Sequence, residues 1–210
     1  MSARRRTPLP KEYRALLDEQ LVERACDELP YRTRAYEELM RRHEKLMFSV
    51  CLRLLGNRQD AEDITQDVML KIFSKLHGFE GRSSFKTWLV RVTRNACKDW
   101  LKKRAISKHY SEALANEPQE HSTVEYEEDR LIGLLKHLSP TDREVLTLRF
   151  VADLSLQEIA EMTELSLSAT KMRLYRAIDR LQELATDTIG DYLQDYQVPE
   201  QTDNRKGEKP

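Results

Sequence analysis

The 210-residue chain reads as an all-α protein, and three observations carry that reading. Glycine stands only at positions 56, 78, 81, 133, 190 and 206, and β-branched alternation is almost absent, which leaves little room for hairpins or a glycine-rich phosphate loop. Apolar residues recur instead at helical spacing. Helix-start signals, a Ser-Pro pair and a Ser-x-x-Glu box, precede two of those runs. The length fits one ordinary domain or two small ones with a real core.

The elements follow in order. Residues up to about Tyr13, with Arg4, Arg5 and Arg6, read as a frayed polar tail without the apolar stretch of a signal peptide. A first long helix carries Tyr36, Leu39, Met40, Leu46, Met47, Val50 and Leu54 and stops at Gly56-Asn57. The next carries Ile64, Val68, Ile72 and Leu76, and Gly78 to Gly81 forms a loop. A third starts at Ser83 or Ser84, runs through Trp88, Leu89, Val92, Ala96 and Trp100, and loses its apolar signal near Arg104. Residues 111–130 change character: seven acids face a single cation, Arg130, and Pro118 interrupts any helix, the composition of a linker. Apolar periodicity returns at Leu131, Ile132, Leu134, Leu135 and Leu138. Ser139-Pro140-Thr141-Asp142 then starts another helix, with a hydroxyl cap, a proline at the first position and a carboxylate where the dipole favours one. After Ile189 the sequence is a polar tail.

Charge and cysteine usage narrow the function classes. The 35 cations and 36 acids leave a net charge of -1, which excludes a uniformly basic, histone-like binder but not a chain with a basic face. No apolar run is long enough to cross a bilayer, so the expectation is a cytoplasmic chain without stable membrane insertion. Cys26, Cys51 and Cys97 show no Cys-x-x-Cys and no histidine at ligand spacing. They read as reduced, mostly buried small hydrophobes, with no metal or redox role.

Two segments carry the chemistry. Ser155-Leu156-Gln157-Glu158 is a capping box opening a short helix with Ile159, Ala160 and Met162, and a turn at Glu164 to Ser166 follows. The second helix places Leu167, Leu174, Ile178 and Leu181 on one stripe and Lys171, Met172, Tyr175, Arg176 and Arg180 on the other face. That is a helix-turn-helix layout, in which the second helix enters the major groove and its cations reach guanine edges and phosphates. The competing reading is an amphipathic hairpin with a solvated cationic face, and small Ala160 favours the tight pair. Residues 85–108 hold eight cations against Asp99, a local balance of +7. Phe85, Trp88, Trp100 and Asn95 are interleaved with them, a mixture that suits unpaired or unpairing strands. For Trp88 a core role is the better reading.

Taken together these blocks resemble a known family. Asp60-Ala61-Glu62-Asp63-Ile64-Thr65-Gln66-Asp67-Val68, Phe79-Glu80-Gly81, Phe85-Lys86-Thr87-Trp88-Leu89, Arg94-Asn95 and Leu154-Ser155-Leu156-Gln157-Glu158-Ile159-Ala160 are similar, in order and spacing over about residues 20–185, to the extracytoplasmic-function sigma factors of the sigma-70 family. Ser168-Ala169-Thr170-Lys171-Met172-Arg173 resembles the SigX-like subgroup. The resemblance implies two small helical domains joined by a flexible acidic linker: a 1–19 extension, region 2 at 20–106, the linker at 107–127, region 4 at 128–186 and a tail at 187–210. It implies a non-enzymatic initiation factor without cofactor, whose partners are core RNA polymerase, promoter DNA and an anti-sigma factor. Its setting would be a stress or cell-envelope response.

The family also implies roles for residues. Asp60, Asp63, Gln66 and Asp67 would dock on polymerase. Arg91, Arg94, Asn95, Lys98 and Lys102 would melt and read the minus-10 element, with Asn95 on a flipped base. Asp99 departs from that pattern, because a carboxylate repels phosphate; it would read a cytosine amino group or pair a neighbouring cation. Ser168, Lys171, Met172, Tyr175, Arg176 and Arg180 would read the minus-35 element. The acidic linker would thread the polymerase cleft as a nucleic-acid mimic. Two rivals predict different behaviour. A stand-alone helix-turn-helix regulator would bind duplex DNA tightly without polymerase. An all-α phosphohydrolase would need Glu62, Asp63 and Asp67 to converge on Mg2+ with acids from a facing helix that offers only Glu37, Glu38 and Glu44 beside a row of arginines.

Overall fold

The computed structural model describes residues 11–111 and 127–184, and among them every regular element is a helix. The first group is α1 (Lys11–Ala15), α2 (Asp18–Glu28), α3 (Arg34–Leu55), α4 (Arg58–Lys75), a 3-10 turn at Leu76–Gly78 and α5 (Phe85–Ser111). The second is α6 (Glu127–Lys136), α7 (Pro140–Leu146), a π-helical turn at Thr147–Val151, α8 (Leu156–Thr163) and α9 (Leu167–Leu184). No described helix is long and apolar enough to cross a membrane.

α3 is the axle of the first group. Its buried stripe, including Leu39, Met47, Val50 and Cys51, packs on α2, α4 and α5, and each fully buried Leu or Met side chain contributes roughly 1.5–3 kcal/mol. Gly56 ends α3 in the left-handed region at φ 70°, where a side chain would be strained. Asn57 then starts α4 by accepting from the Asp60 N–H at 2.9 Å. Phe85, fully buried, meets His43, Phe79 and Trp88 at centroid distances of 5.4, 5.8 and 5.8 Å. Phe85, with half-buried Trp88 packed against it, therefore pins the start of α5 to the core.

The tail reading fails at residues 11–15, which form α1. Tyr13 is buried and donates to Glu28 at 3.0 Å. The tether is tertiary: Arg42 on α3 donates to the Leu16, Arg14 and Tyr13 carbonyls at 2.8, 3.1 and 3.2 Å and to Asp18 at 3.0 Å. Nothing in local periodicity announces it. Glu38, with no exposed surface, takes a paired contact from Arg41, both distances 2.7 Å, and one from Arg42 at 3.0 Å. Arg41 foremost and Arg42 beside it outweigh burial and hold that carboxyl down at about 2.

α5 also runs past Arg104, to Ser111. From Leu101 to Ile106 every residue is exposed, so the apolar signal fades for want of a core to face while Leu, Lys, Arg and Ala still favour helix. Of the acidic segment, residues 112–126 lie outside the described residues. Its last acids, Glu127, Glu128 and Asp129, fall within α6.

The second group starts as its capping signals require. Ser139 accepts from the Asp142 N–H at 3.2 Å with Pro140 at the first position. Ser155 accepts from the Glu158 N–H at 3.2 Å, and Glu158 accepts from the Ser155 N–H at 2.9 Å. The two groups touch: α6, α7 and the π-helical turn all pack on α3.

Candidate nucleic-acid interface

α5 displays a cationic face whose members differ in availability. Arg91, Asn95, Lys98, Asp99 and Lys102 are exposed, so spacings of four and three along one helix place a base-edge amide between phosphate-seeking cations. Asp99 is exposed beside Lys98 on the same helix. Arg104 lies over the Trp100 ring at 4.9 Å from its centroid and donates to Asp60 at 2.9 Å.

Arg94 stands apart. It is 8% exposed, its Nε donates to the buried Glu144 carboxylate on α7, and its Nη1 donates to Asn95 Oδ1 at 3.3 Å. Glu144 escaped the sequence reading. Its one signal is an acid four residues before fully buried Leu148, in phase with the core. Two further contacts follow the same seam: Thr87 Oγ1 donates to Glu158 at 2.7 Å, and Lys86 Nζ lies 3.8 Å from the Asp153 carboxylate. Burial raises the Glu158 carboxyl, but hydrogen bonds from Thr87 and Ser155 outweigh it and hold the group below its ordinary range.

The helix-turn-helix closes tightly. Glu164 takes the left-handed conformation at φ 60°, and Ser166 starts α9 by accepting from the Ala169 N–H at 3.1 Å. Ile159, Ala160 and Met162 of α8 face Leu174, Ala177, Ile178 and Leu181 of α9, all buried. Leu167 does not belong to that stripe. It is 39% exposed, because it is the first residue of α9, ahead of the contact with α8, and Thr170 fills the buried place instead. Ser168, Met172, Tyr175, Arg176 and Arg180 are exposed and Lys171 half-buried, so one outward face collects the polar and cationic set. Arg180 is paired with Glu183 at 2.8 Å, whereas Arg173 turns inward toward Asp142 at 3.5 Å.

On α4, Asp63, Gln66 and Asp67 are exposed, and Leu70, 71% exposed, continues their row. Asp60 is half-buried and engaged by Arg104, so the strip has three open polar members and one tied end. Among the described residues no three His, Cys, Asp or Glu side chains are grouped as a metal site, and Glu38 is already saturated by arginines. Cys51 and Cys97, distant in sequence, are adjacent in the core at 3.6 Å. Contact with Cys51 and then burial push the Cys97 thiol well up, and the pair packs as free buried thiols.

Comparison with known proteins matches this layout. A model of sigma-70 region 2 matches residues 39–106, and one of sigma-70 region 4 matches residues 128–181. The chain is 27% identical over 159 residues to the ECF RNA polymerase sigma factor SigE of Mycolicibacterium smegmatis, an alignment covering 71% of this chain and 61% of that relative's length. The sigma factor RpoE of Bartonella quintana, solved with the anti-sigma factor NepR, superposes with a TM-score of 0.61 at 25% identity, covering 71% of this chain and 95% of RpoE. CnrH, solved with the cytosolic domain of CnrY, gives a TM-score of 0.61 at 25% identity over 81% of this chain and 99% of CnrH. With both family regions in order on the two helix groups that carry the cationic faces, the chain belongs to the sigma-70 family, among its extracytoplasmic-function sigma factors.

Proposed function

We propose that the chain binds core RNA polymerase and directs it to promoters, without catalysis of its own. The observation that carries this is the pairing of two separate outward cationic faces, Arg91, Asn95, Lys98 and Lys102 on α5 and Lys171, Met172, Tyr175 and Arg176 on α9, one in each family region. A two-part recognition surface suits a bipartite promoter. Asp63, Gln66 and Asp67 on α4 form the polymerase-docking strip, an exposed acidic row suited to a basic partner. Asn95 takes the flipped base of the minus-10 element, and α9 reads the minus-35 element. An anti-sigma factor is the further partner, in keeping with the complexes in which RpoE and CnrH were solved. The segment Ser168 to Arg173 supports placement in the SigX-like subgroup.

The test separates a sigma factor from a stand-alone regulator. Binding of a labelled promoter duplex is measured with the chain alone, with core polymerase alone, and with both. Tight, sequence-selective binding only with both is the expected result. Equally tight binding by the chain alone would replace this reading with the regulator.

A further inference from the structure

The far half of α5 leaves the core behind. From Leu101 to Ile106 every residue is exposed, so apolar burial does not hold this stretch in place, yet Lys102 on it belongs to the cationic face. Arg104 reaches back from there. It lies over the ring of half-buried Trp100, 4.9 Å from the centroid, and donates to the Asp60 carboxylate on α4 at 2.9 Å. Trp100 in turn packs against the core. At 3.6 residues per turn, Trp100 and Arg104 stand one above the other on the side of α5 roughly opposite Arg91, Asn95, Lys98 and Lys102. The anchor and the nucleic-acid face therefore do not compete for the same side of the helix.

Asp60 is well placed to receive Arg104. It stands in the first turn of α4, where Asn57 accepts from its N–H at 2.9 Å and a carboxylate suits the dipole. Its side chain is 23% exposed, whereas Asp63 and Asp67 further along the same helix are open to solvent. A polymerase surface that used Asp60 would have to take it from Arg104, but Asp63, Gln66 and Asp67 are free of that cost. A partly exposed ion pair adds little to global stability. Its effect falls instead on the direction of a helix end that nothing else in the core grips.

We propose that Asp60 is a positioning residue for promoter melting and not a member of the polymerase-docking row: it holds Arg104, and through Arg104 and Trp100 it fixes the far half of α5 so that Lys98 and Lys102 meet the unpaired strand in register. This rests on the sigma-factor reading of α5 and deepens it, by dividing the acids of α4 between two tasks.

The experiment compares the full native chain with Asp60→Asn, Arg104→Gln, the two together, and Asp63→Asn. Three quantities are read: amide hydrogen exchange of the free chain along α5, affinity for core polymerase, and the rate at which preformed holoenzyme opens a promoter. Asp60→Asn and Arg104→Gln should each speed exchange over residues 100–106 by about two- to fivefold, leaving residues 85–96 unchanged. Each should slow opening by a similar factor, the double variant no more than either single, with core affinity unaltered. Asp63→Asn should do the reverse, weakening core binding and sparing the exchange of α5. Unchanged exchange, additive losses, or a loss of core affinity for Asp60→Asn matching that of Asp63→Asn would overturn the proposal. Faster opening by Asp60→Asn would also overturn it, since Arg104 would then be a phosphate contact that Asp60 restrains. If exchange responds as described but the native holoenzyme opens no promoter, the anchoring of α5 by Asp60 stands and the sigma-factor reading falls.

Discussion

Triple substitution of Arg91, Lys98 and Lys102 by alanine should flatten the salt dependence of promoter binding by a calculable amount. All three are exposed on α5 and none forms an ion pair among the described residues, so their removal leaves no buried partner unsatisfied. Each cation on a single-strand phosphate contributes about 0.7 to the slope of log affinity against log salt, so three contribute about 2. Between about 50 and about 200 mM salt that slope corresponds to roughly a twentyfold change in affinity. The assay is fluorescence anisotropy of the holoenzyme on promoter DNA with a pre-melted minus-10 segment, titrated across that range. The variant should bind more weakly at low salt and approach the native holoenzyme at high salt, with core-polymerase affinity unchanged. An unaltered slope would refute the assignment of this face to phosphate. A loss shared equally by core binding would show that α5 serves the polymerase instead.

Three further outcomes follow from particular residues. Asn95→Ala should weaken open-complex formation, read as permanganate reactivity of unpaired thymines, while leaving core binding intact, since Asn95 is exposed and its Arg94 contact is peripheral to the buried ion pair. Lys171→Ala should cost about 1–3 kcal/mol in discrimination at one minus-35 base pair if it makes a bidentate contact; a loss uniform across sequences would make it a phosphate contact. The Glu38 carboxyl, lowered to about 2 from an ordinary 4.5, contributes stability that is fully present above its unfolded value and is lost as pH falls from about 4.5 through about 2. Thermal melts should therefore show acid destabilisation of the native chain in that window and a flatter profile for Glu38→Gln.

What the sequence revealed divides along a physical line. Features decided within one turn of chain were legible: the glycine stop at Gly56, the Ser139-Pro140 start and the Ser155–Glu158 box each involve neighbours that satisfy one another's backbone groups. The exposed faces of α5 and α9 were legible for the same reason, because helical phase fixes them once the core side is known. Features decided by packing were not. α1 is held by Arg42 from α3, Cys51 finds Cys97 across the core, and Leu167 falls outside the apolar stripe because its helix has only begun there. Arg94 is the sharpest case. Its place on a cationic face was readable, but its burial depends on Glu144, fifty residues away, and no local rule pairs them.

The role proposed for this chain is to give polymerase its promoter choice through two cationic faces. It is tested most directly by transcription from a genomic promoter library with core polymerase, with and without the chain. Initiation is expected at a subset of promoters that share minus-10 and minus-35 elements at fixed spacing, and only when the chain is added. An identical set of start sites in both reactions would contradict it.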